Sequence, residues 1–322
     1  MARATSVRTT TLGFSGHEGF ALRSLWLNKA VDAVNTDSGF FSRDDATVGL
    51  GVGKNMVHSI RHWGIATGSL IATNRGRELA ATDLGANLFA QSGWDPYFED
   101  PATAWVVHWQ LVANPHRAAT WHLCFTEWPR DLFTHEQLVQ WIGSRNLERD
   151  SPSRTTENSL KRDVEVLTRT YIRANPNREL PIEDAYDSPL SELALLEEVD
   201  RGTFRIVRGP KPTLPDEVLW HAIDEFWRSM ELGSSASFDR LLNSSGSPGA
   251  AFALGDRDLT ERLERIPEWT GFRYDDTSGN RILFRSEAAT TRPLRDLSAL
   301  RRYFDPNNQH SSVLTRPQIG AL

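Results

Sequence analysis

The sequence predicts a mainly α-helical α+β fold, built from tandem winged-helix or helix-turn-helix-like modules with small β-hairpins. Amphipathic periodicity supports the helices, most clearly at residues 156–173. There, four apolar residues are spaced i, i+4, i+7 and i+11, namely Leu160, Val164, Leu167 and Tyr171. Glycine-containing hairpins follow helical segments at residues 69–82 and 272–284. Helices that end in a hairpin are the pattern expected of a winged helix.

Length and composition set limits on the class of protein. At roughly 150 residues per domain, 322 residues predict two or three domains. Cys124 is the single cysteine, which excludes an intrachain disulfide and a cysteine-based metal cluster. No apolar run approaches the roughly 20 residues of a bilayer span, and residues 1–11 lack a secretory apolar stretch. We therefore expect a cytoplasmic protein that does not contact a membrane.

The net charge argues against binding nucleic acid by bulk attraction. The chain has a formal charge of −6 and a pI near 5.9. Any affinity for DNA must come from local basic patches on a protein whose net charge is negative.

Residues 14–93 are predicted to form a winged-helix DNA-binding domain after a flexible arm at 1–13. Its first helix is expected at 21–34, and its second begins at a Ser42 cap and ends near Leu50. The glycines at 51–53 break the chain. The third helix and the hairpin strands are then expected at 54–63, 69–72 and 79–82, with Asn74-Arg75-Gly76-Arg77 at the hairpin tip.

Two further domains are predicted. Residues 94–208 form a helical middle domain that repeats the helix-turn-helix plan, with helices at 102–112, 118–127, 135–142 and 156–173 and a strand at 203–207. A proline-rich link opens residues 209–304, which contain helices at 216–230 and 258–266, a Ser/Gly-rich stretch at 233–249 and a hairpin at 272–284. Residues 305–322 form a polar, flexible tail.

The exposed side of the third helix is the strongest candidate for a DNA contact. Cations, an amide, a hydroxyl and imidazoles suit phosphates and base edges in a major groove, and we expect six residues to project there: Lys54, Asn55, His58, Ser59, Arg61 and His62. Arg75 and Arg77 at the hairpin tip would reach the backbone alongside. The alternative is a solvated or partner-binding face, since many helix-turn-helix units bind no DNA.

Lys161 and Arg162 belong to a second candidate phosphate-facing surface, together with Arg169 and Arg173. Acidic residues lie among them, so i, i+4 ion pairs on an exposed helix explain the same mixture.

His17 and Glu18 are the candidates for a compact catalytic pair. Flanking glycines allow tight turns, and nicking of a phosphodiester can use a general base or a metal-binding pair of this kind. The alternative is helix capping plus a structural hydrogen bond. Asp95, Glu99 and Asp100 would suit a divalent metal such as magnesium if they met in space, and otherwise form an acidic surface loop.

Several common cofactor motifs are missing. The chain contains no phosphate-binding loop of the Walker type, no dinucleotide fingerprint and no His-Glu-x-x-His helix. No nucleotide cofactor is therefore expected.

Four stretches of the chain resemble the SspB family of bacterial DNA phosphorothioation systems. The two N-terminal stretches are residues 14–23, FSGHEGFALR, and residues 50–57, LGVGKNMV, followed by IRHW at 60–63. The middle stretches are DPYFEDP at 95–101 and LKRDV at 160–164. Gly19 departs from the threonine that the family more often has there.

The resemblance implies a role in replacing a non-bridging phosphate oxygen of DNA with sulfur, and in antiphage defence. Implied partners are double-stranded DNA, a cysteine desulfurase, an ATP-pyrophosphatase-like sulfur-transfer protein and an ATPase, and a homodimer stays open. It also implies that the protein nicks one DNA strand, although no motif identifies the nicking residues. A non-catalytic DNA-binding scaffold or a transcriptional regulator is the alternative.

Overall fold

Three helices and a two-stranded hairpin come first in the computed structural model, which describes residues 11–173, 188–277, 279–290 and 296–308. These elements are α1 (Trp26–Thr36), α2 (Ala46–Leu50), α3 (Lys54–Ala66), β1 (Leu70–Thr73) and β2 (Glu78–Ala81). The third helix begins where the glycine break predicted it. The predicted cap at Ser42 is wrong, because α2 begins only at Ala46. In the segment before it, Arg43 forms ion pairs with Asp37 and Asp45.

The next three helices are α4 (Asp83–Phe89), α5 (Pro101–Val112) and α6 (Ala119–Thr126). Thr82 caps α4, with its hydroxyl oxygen accepting from the Gly85 N–H. Almost every residue of α5 is buried, as expected for a helix that is apolar on all sides. It packs against α6 and against two helices from the C-terminal third of the chain.

A strand, two helices and a hairpin then follow in order. They are β3 (Leu132–Thr134), α7 (His135–Leu147), α8 (Glu157–Tyr171), β4 (Leu196–Asp200) and β5 (Thr203–Ile206). The sheet is antiparallel, with β5 between β3 and β4. Thr134 and Gln137 form a reciprocal capping box at the start of α7.

The same order recurs after residue 215. A long helix, a short strand, further helices and a hairpin follow as α9 (Asp216–Ser229), β6 (Ser235–Ser237), α10 (Phe238–Asn243), α11 (Pro248–Ala251), α12 (Asp256–Leu263), β7 (Phe272–Thr277) and β8 (Asn280–Arg285). Again the last strand lies in the middle of its sheet, between β6 and β7. Two short helices, α13 (Glu287–Thr290) and α14 (Ser298–Phe304), complete the described chain.

The buried apolar side chains form one cluster that extends from Leu12 to Leu300. Trp63, Trp105, Trp109 and Trp121 are among its largest members, and Cys124 lies inside it with no exposed surface. Large aromatic side chains contribute most to such a core because each removes a large apolar area from water.

The predicted fold class of helices with small β-hairpins is confirmed by these elements, and the division into 14–93, 94–208 and 209–304 stays a prediction. At the N-terminus, the arm predicted at 1–13 lies outside the described residues as far as residue 10. Leu12 is buried and the Gly13 N–H donates to the Pro115 carbonyl at 2.8 Å, so the packed chain begins earlier than expected. Most of the predicted tail, from residue 309 onward, also lies outside them. Among the described helices, none combines the length and apolar character that a bilayer crossing requires.

Candidate nucleic-acid interface

The start of α3 presents a polar flank to solvent. Gly51 adopts a left-handed conformation (φ 65°) that ends α2, a conformation that costs glycine little, and α3 begins three residues later. Lys54, Asn55 and His58 are all exposed. The side of the helix that was predicted to face a polyanion is therefore accessible at its first two turns.

Two of the six residues predicted on this flank lie elsewhere. Ser59 is fully buried, and its hydroxyl donates to the His17 carbonyl at 3.0 Å, so its prediction as an exposed contact is wrong. Residue 59 follows His58 by only 100° around the helix, which turns its small side chain toward the core. His62 is half-buried, and its Nε2 atom is shielded from solvent without a hydrogen-bond partner among the described residues. Arg61 is half-buried on the polar side.

The tip of the β1–β2 hairpin adds two exposed cations. Asn74, Arg75 and Gly76 all have positive φ angles, which turn the chain tightly between the strands. Arg75 and Arg77 are both exposed there.

The loop at residues 14–20 lies between α3 and α8. His17 is buried, with its ring 6.4 Å from Trp63 and 6.0 Å from Trp121. Its Nε2 lies 2.9 Å from Oδ1 of Asp163 on α8. The structure therefore gives His17 a carboxylate partner that is distant in sequence, while Glu18 is exposed.

Asp163 is the hub that fixes this loop. Its two carboxylate oxygens accept from His17, from the Ser15 N–H at 3.1 Å and from the Thr120 hydroxyl at 3.0 Å. The Gly19 N–H donates to His17 Nδ1 at 3.1 Å, so both ring nitrogens of His17 are engaged. These are the contacts of the structural alternative, and a catalytic role for His17 and Glu18 stays a prediction.

The exposed side of α8 is partly neutralised. Lys161 pairs with Glu157 one turn earlier at 2.6 Å, as the ion-pair alternative expected, whereas Arg162 is exposed beside Gly19. Arg169 donates to the Gly19 carbonyl at 2.7 Å and so attaches the helix to the loop. A DNA contact by Lys161 and Arg162 stays a prediction.

Sequence reasoning missed Arg117, on the turn between α5 and α6. It is exposed, and its charge helps lower the pKa of Arg61, after burial as the larger cause. Burial, and then electrostatic interaction with His17, Arg117 and Arg61, lower the pKa of His62 to about 3. No periodicity links a turn residue to a helix more than fifty positions earlier, so only the fold reveals this neighbourhood.

The acidic loop at 95–101 stabilises the start of α5. Asp95 is buried and accepts from the Glu99 N–H at 2.8 Å, the Asp100 N–H at 3.0 Å and the Thr103 hydroxyl at 2.5 Å. Asp100 caps α5 by accepting from the Ala102 N–H. Within the described ranges, no three His, Cys, Asp or Glu side chains are grouped as metal ligands. The carboxylates of Asp95 and Asp100 thus satisfy backbone and side-chain donors of this loop and helix, and a magnesium site here stays a prediction.

A family model matches residues 14–303, nearly all of the described chain, and its description is protein of unknown function, DUF4007. The chain belongs to the DUF4007 family. No curated protein matches this DUF4007 chain in sequence.

Two solved structures resemble this DUF4007 member over most of its length. They are an SspB crystal structure and a magnesium ion-bound SspB crystal structure. Each has 29% sequence identity, a TM-score of 0.79, and coverage of 96% of this chain and 91% of its own. The resemblance to the SspB family that the sequence motifs indicated is thereby confirmed.

Proposed function

We propose that this protein is a DNA-binding component of a DNA phosphorothioate modification and antiphage defence system. The likeness to SspB over 96% of the chain supports this role. The same resemblance implies that it works with a cysteine desulfurase, an ATP-pyrophosphatase-like sulfur-transfer protein and an ATPase.

The repeated order of elements favours winged-helix modules. In the second repeat one helix is followed by a strand, two helices and a hairpin, and in the third by a strand, three helices and a hairpin. In both, the last hairpin strand pairs with the isolated strand. The first repeat has three helices and a hairpin without a third strand. In such modules the helix before the hairpin is the one that enters a major groove, which is α3 in the first repeat.

The exposed start of α3 is the observation on which the DNA contact rests. Lys54, Asn55 and His58 face solvent, and Arg75 and Arg77 project from the hairpin that follows. A groove helix with a neighbouring basic loop gives base-edge and phosphate contacts from one module. A local patch of this kind also reconciles DNA binding with the chain's net charge of −6.

Charge reversal tests the DNA contact. We expect Lys54→Glu and Arg75→Glu to weaken binding of a duplex, and to lower the slope of log K against log salt by about 1 for each lost phosphate contact. Arg240→Glu makes the same change of charge at an exposed position on α10 and should leave both quantities unchanged. Unchanged binding in the α3 and hairpin variants would mean that this face serves a protein partner.

We further propose that the protein nicks one strand of the bound duplex, so that sulfur can be inserted. The family resemblance supports this step, and the magnesium-bound state described for one SspB structure suggests the ion to include in the assay. Purified protein should convert supercoiled plasmid to open circles in magnesium buffer. Glu18→Ala should abolish conversion but retain binding, because Glu18 is exposed and its removal leaves the loop contacts of His17 and Asp163 in place.

A non-catalytic scaffold is the second candidate. Both nitrogens of His17 already have partners, so the imidazole has no free acceptor for a proton in this arrangement. Retention of plasmid without any change in topology, with every divalent metal supplied, would establish the scaffold and reject the nickase.

A further inference from the structure

The end of α3 lies against the turn that joins α5 to α6. Asn114 on this turn donates to the Ala66 carbonyl, the last residue of α3, at 3.1 Å. On its other side, Gly13 donates to the Pro115 carbonyl at 2.8 Å and accepts from the Ala119 N–H at 3.0 Å. A Cβ on Gly13 would lie only 1.8 Å from the His116 carbonyl oxygen, so the two backbones are in direct contact. The turn is therefore held beside the end of the helix by contacts on both of its sides.

This turn places Arg117 beside the end of α3, the helix that carries Arg61, since Asn114 of the same turn donates to the Ala66 carbonyl. Burial lowers the pKa of Arg61, and the charge of Arg117 lowers it further. Arg61 is half-buried and Arg117 is exposed, so the pair opens to the surface. Within the part of the chain that the structure describes, neither arginine pairs with a carboxylate. Two like charges held together without a counterion raise the free energy of the unliganded protein and favour an anion between them.

His62 lies in the same positive field. Its ring is 5.9 Å from that of His17 and 5.5 Å from that of Trp63, and its Nδ1 would be 2.4 Å from a Cβ on Gly16. Its buried Nε2 has no partner in the described part of the chain. A buried polar atom without a partner costs free energy, and such atoms are rare in folded proteins. The unpartnered Nε2 of His62 is thus a second sign, beside the two arginines without a carboxylate, that polar groups here lack partners among the described residues.

The arginine pair also continues the proposed DNA face. Residues 54, 58 and 61 are spaced i, i+4 and i+7, so Lys54, His58 and Arg61 lie on one side of α3. Arg117 lies on the turn that meets the end of this helix at Ala66. Arginine suits a phosphate because its planar fork donates two parallel hydrogen bonds to the oxygens.

We propose that Arg61 and Arg117 together form a phosphate-binding site that holds one backbone phosphate of duplex DNA. This inference rests on the proposed DNA-binding function and adds a contact from a second segment of the chain. The site fixes the register of the duplex along α3, because a clamped phosphate at one end sets which bases the other end can reach.

Removal of Arg117 tests the site. In duplex binding measured by fluorescence anisotropy at several salt concentrations, Arg117→Ala should weaken affinity about tenfold, as expected for losing a charge-assisted contact, and lower the salt slope by about 1. Arg117→Lys should retain the slope and lose part of the affinity, because it keeps the charge without the fork. Arg240→Ala, the matched loss of an exposed arginine on α10, should bind like the unsubstituted protein. Equal thermal midpoints would establish that all variants are folded.

Inorganic phosphate separates this site from the DNA-binding function. Its binding between the arginines should raise the pKa of His62 in NMR titrations, because the anion offsets the charges of Arg61 and Arg117, and Arg117→Ala should abolish this shift. Duplex binding that is unchanged in Arg117→Ala would overturn the site and leave the DNA role standing. If the unsubstituted protein fails to bind DNA but the His62 response is intact, the bound phosphate is not that of a DNA backbone. The arginines would then form a site for the free anion. Absence of both responses would reject both proposals.

Discussion

Asp163 shows how one residue determines the geometry of the candidate site. Its buried carboxylate joins α8 to the 14–20 loop through His17 and Ser15, and to α6 through Thr120. Removing a buried charged partner leaves the other groups unsatisfied, which costs more than the contact itself gains.

Replacement of Asp163 should therefore destabilise the fold strongly. We expect Asp163→Ala to lower the free energy of unfolding by about 3 kcal/mol, because the buried donors of His17, Ser15 and Thr120 lose their acceptor at a cost of about 1–3 kcal/mol each when unsatisfied. Asp44→Ala removes an exposed carboxylate and should change it by less than about 0.5 kcal/mol. Urea denaturation followed by circular dichroism measures both. A change below about 1 kcal/mol for Asp163→Ala would contradict the role of the carboxylate as the hub of the loop.

At the scale of elements, the loop at 14–20 depends on an unusual backbone. Ser15, Gly16, Glu18 and Gly19 all have positive φ angles, so the loop stores conformational strain that its contacts must offset. Gly16 has a second constraint, because a Cβ there would lie 2.4 Å from Nδ1 of His62. The His62 ring has little room to retreat between His17 and Trp63.

Two glycine substitutions separate strain from steric clash. Gly16→Ala and Gly76→Ala both place a side chain at positive φ (96° and 86°), but nothing lies within 4 Å of a Cβ at Gly76. Gly76→Ala should cost about 1 kcal/mol from the backbone alone, whereas Gly16→Ala should cost about 1–3 kcal/mol more because of the overpacking. Equal midpoints of thermal unfolding for the two variants would mean that His62 moves aside freely.

The sequence predicted long periodic elements better than short ones. α3, α5, α8 and α9 were located to within a few residues because their apolar spacing or glycine boundaries are explicit. β3 and β6 were missed, since each has three residues and is too short for alternation to be visible. Their existence depends on hairpin strands whose paired residues come 69–73 positions later for β3 and 45–49 positions later for β6, a tertiary contact that local propensity does not encode.

The candidate site shows the same limit. Lys54, Asn55 and His58 were placed correctly on an exposed flank by helical spacing, whereas Ser59 was misplaced because a polar residue was assumed to face water. Asp163 and Arg117 were not linked to the N-terminal loop and α3, because those contacts join segments separated by 146 residues in the case of His17 and Asp163. Polar residues that satisfy each other inside a fold give no periodic signal.

At the scale of the whole molecule, two histidines couple the stability of the core to pH. His108 on α5 is fully buried between the Tyr171 hydroxyl and the Ala251 carbonyl, each at 2.7 Å. Burial lowers the pKa of His108 to about 4 and that of His62 to about 3. Both values lie below the ordinary value of 6.5, so between pH 6.5 and 4 the unfolded chain binds protons that the folded chain does not.

The free energy of unfolding should consequently fall as the pH is lowered from 6.5 toward 4. Each histidine contributes a slope of at most about 1.4 kcal/mol per pH unit in that window. Urea unfolding at a series of pH values should show a shallower slope for His62→Gln than for the unsubstituted chain. His58→Gln, at an exposed position, should retain the original slope. Identical slopes for all three proteins would show that His62 is as easily protonated in the folded state as in the unfolded one.

The enclosure of Cys124 has a practical consequence. Burial raises the pKa of its thiol, and reagents have no path to it in the folded protein. Since this is the chain's single cysteine, a second one introduced at His58 or Arg75 would be the sole site open to a maleimide dye or a spin label. The native sequence can thus accept a reporter on α3 or on the hairpin without prior replacement of its own cysteine. With reporters at both positions, the distance between them would measure any movement of the hairpin relative to α3 when a duplex binds.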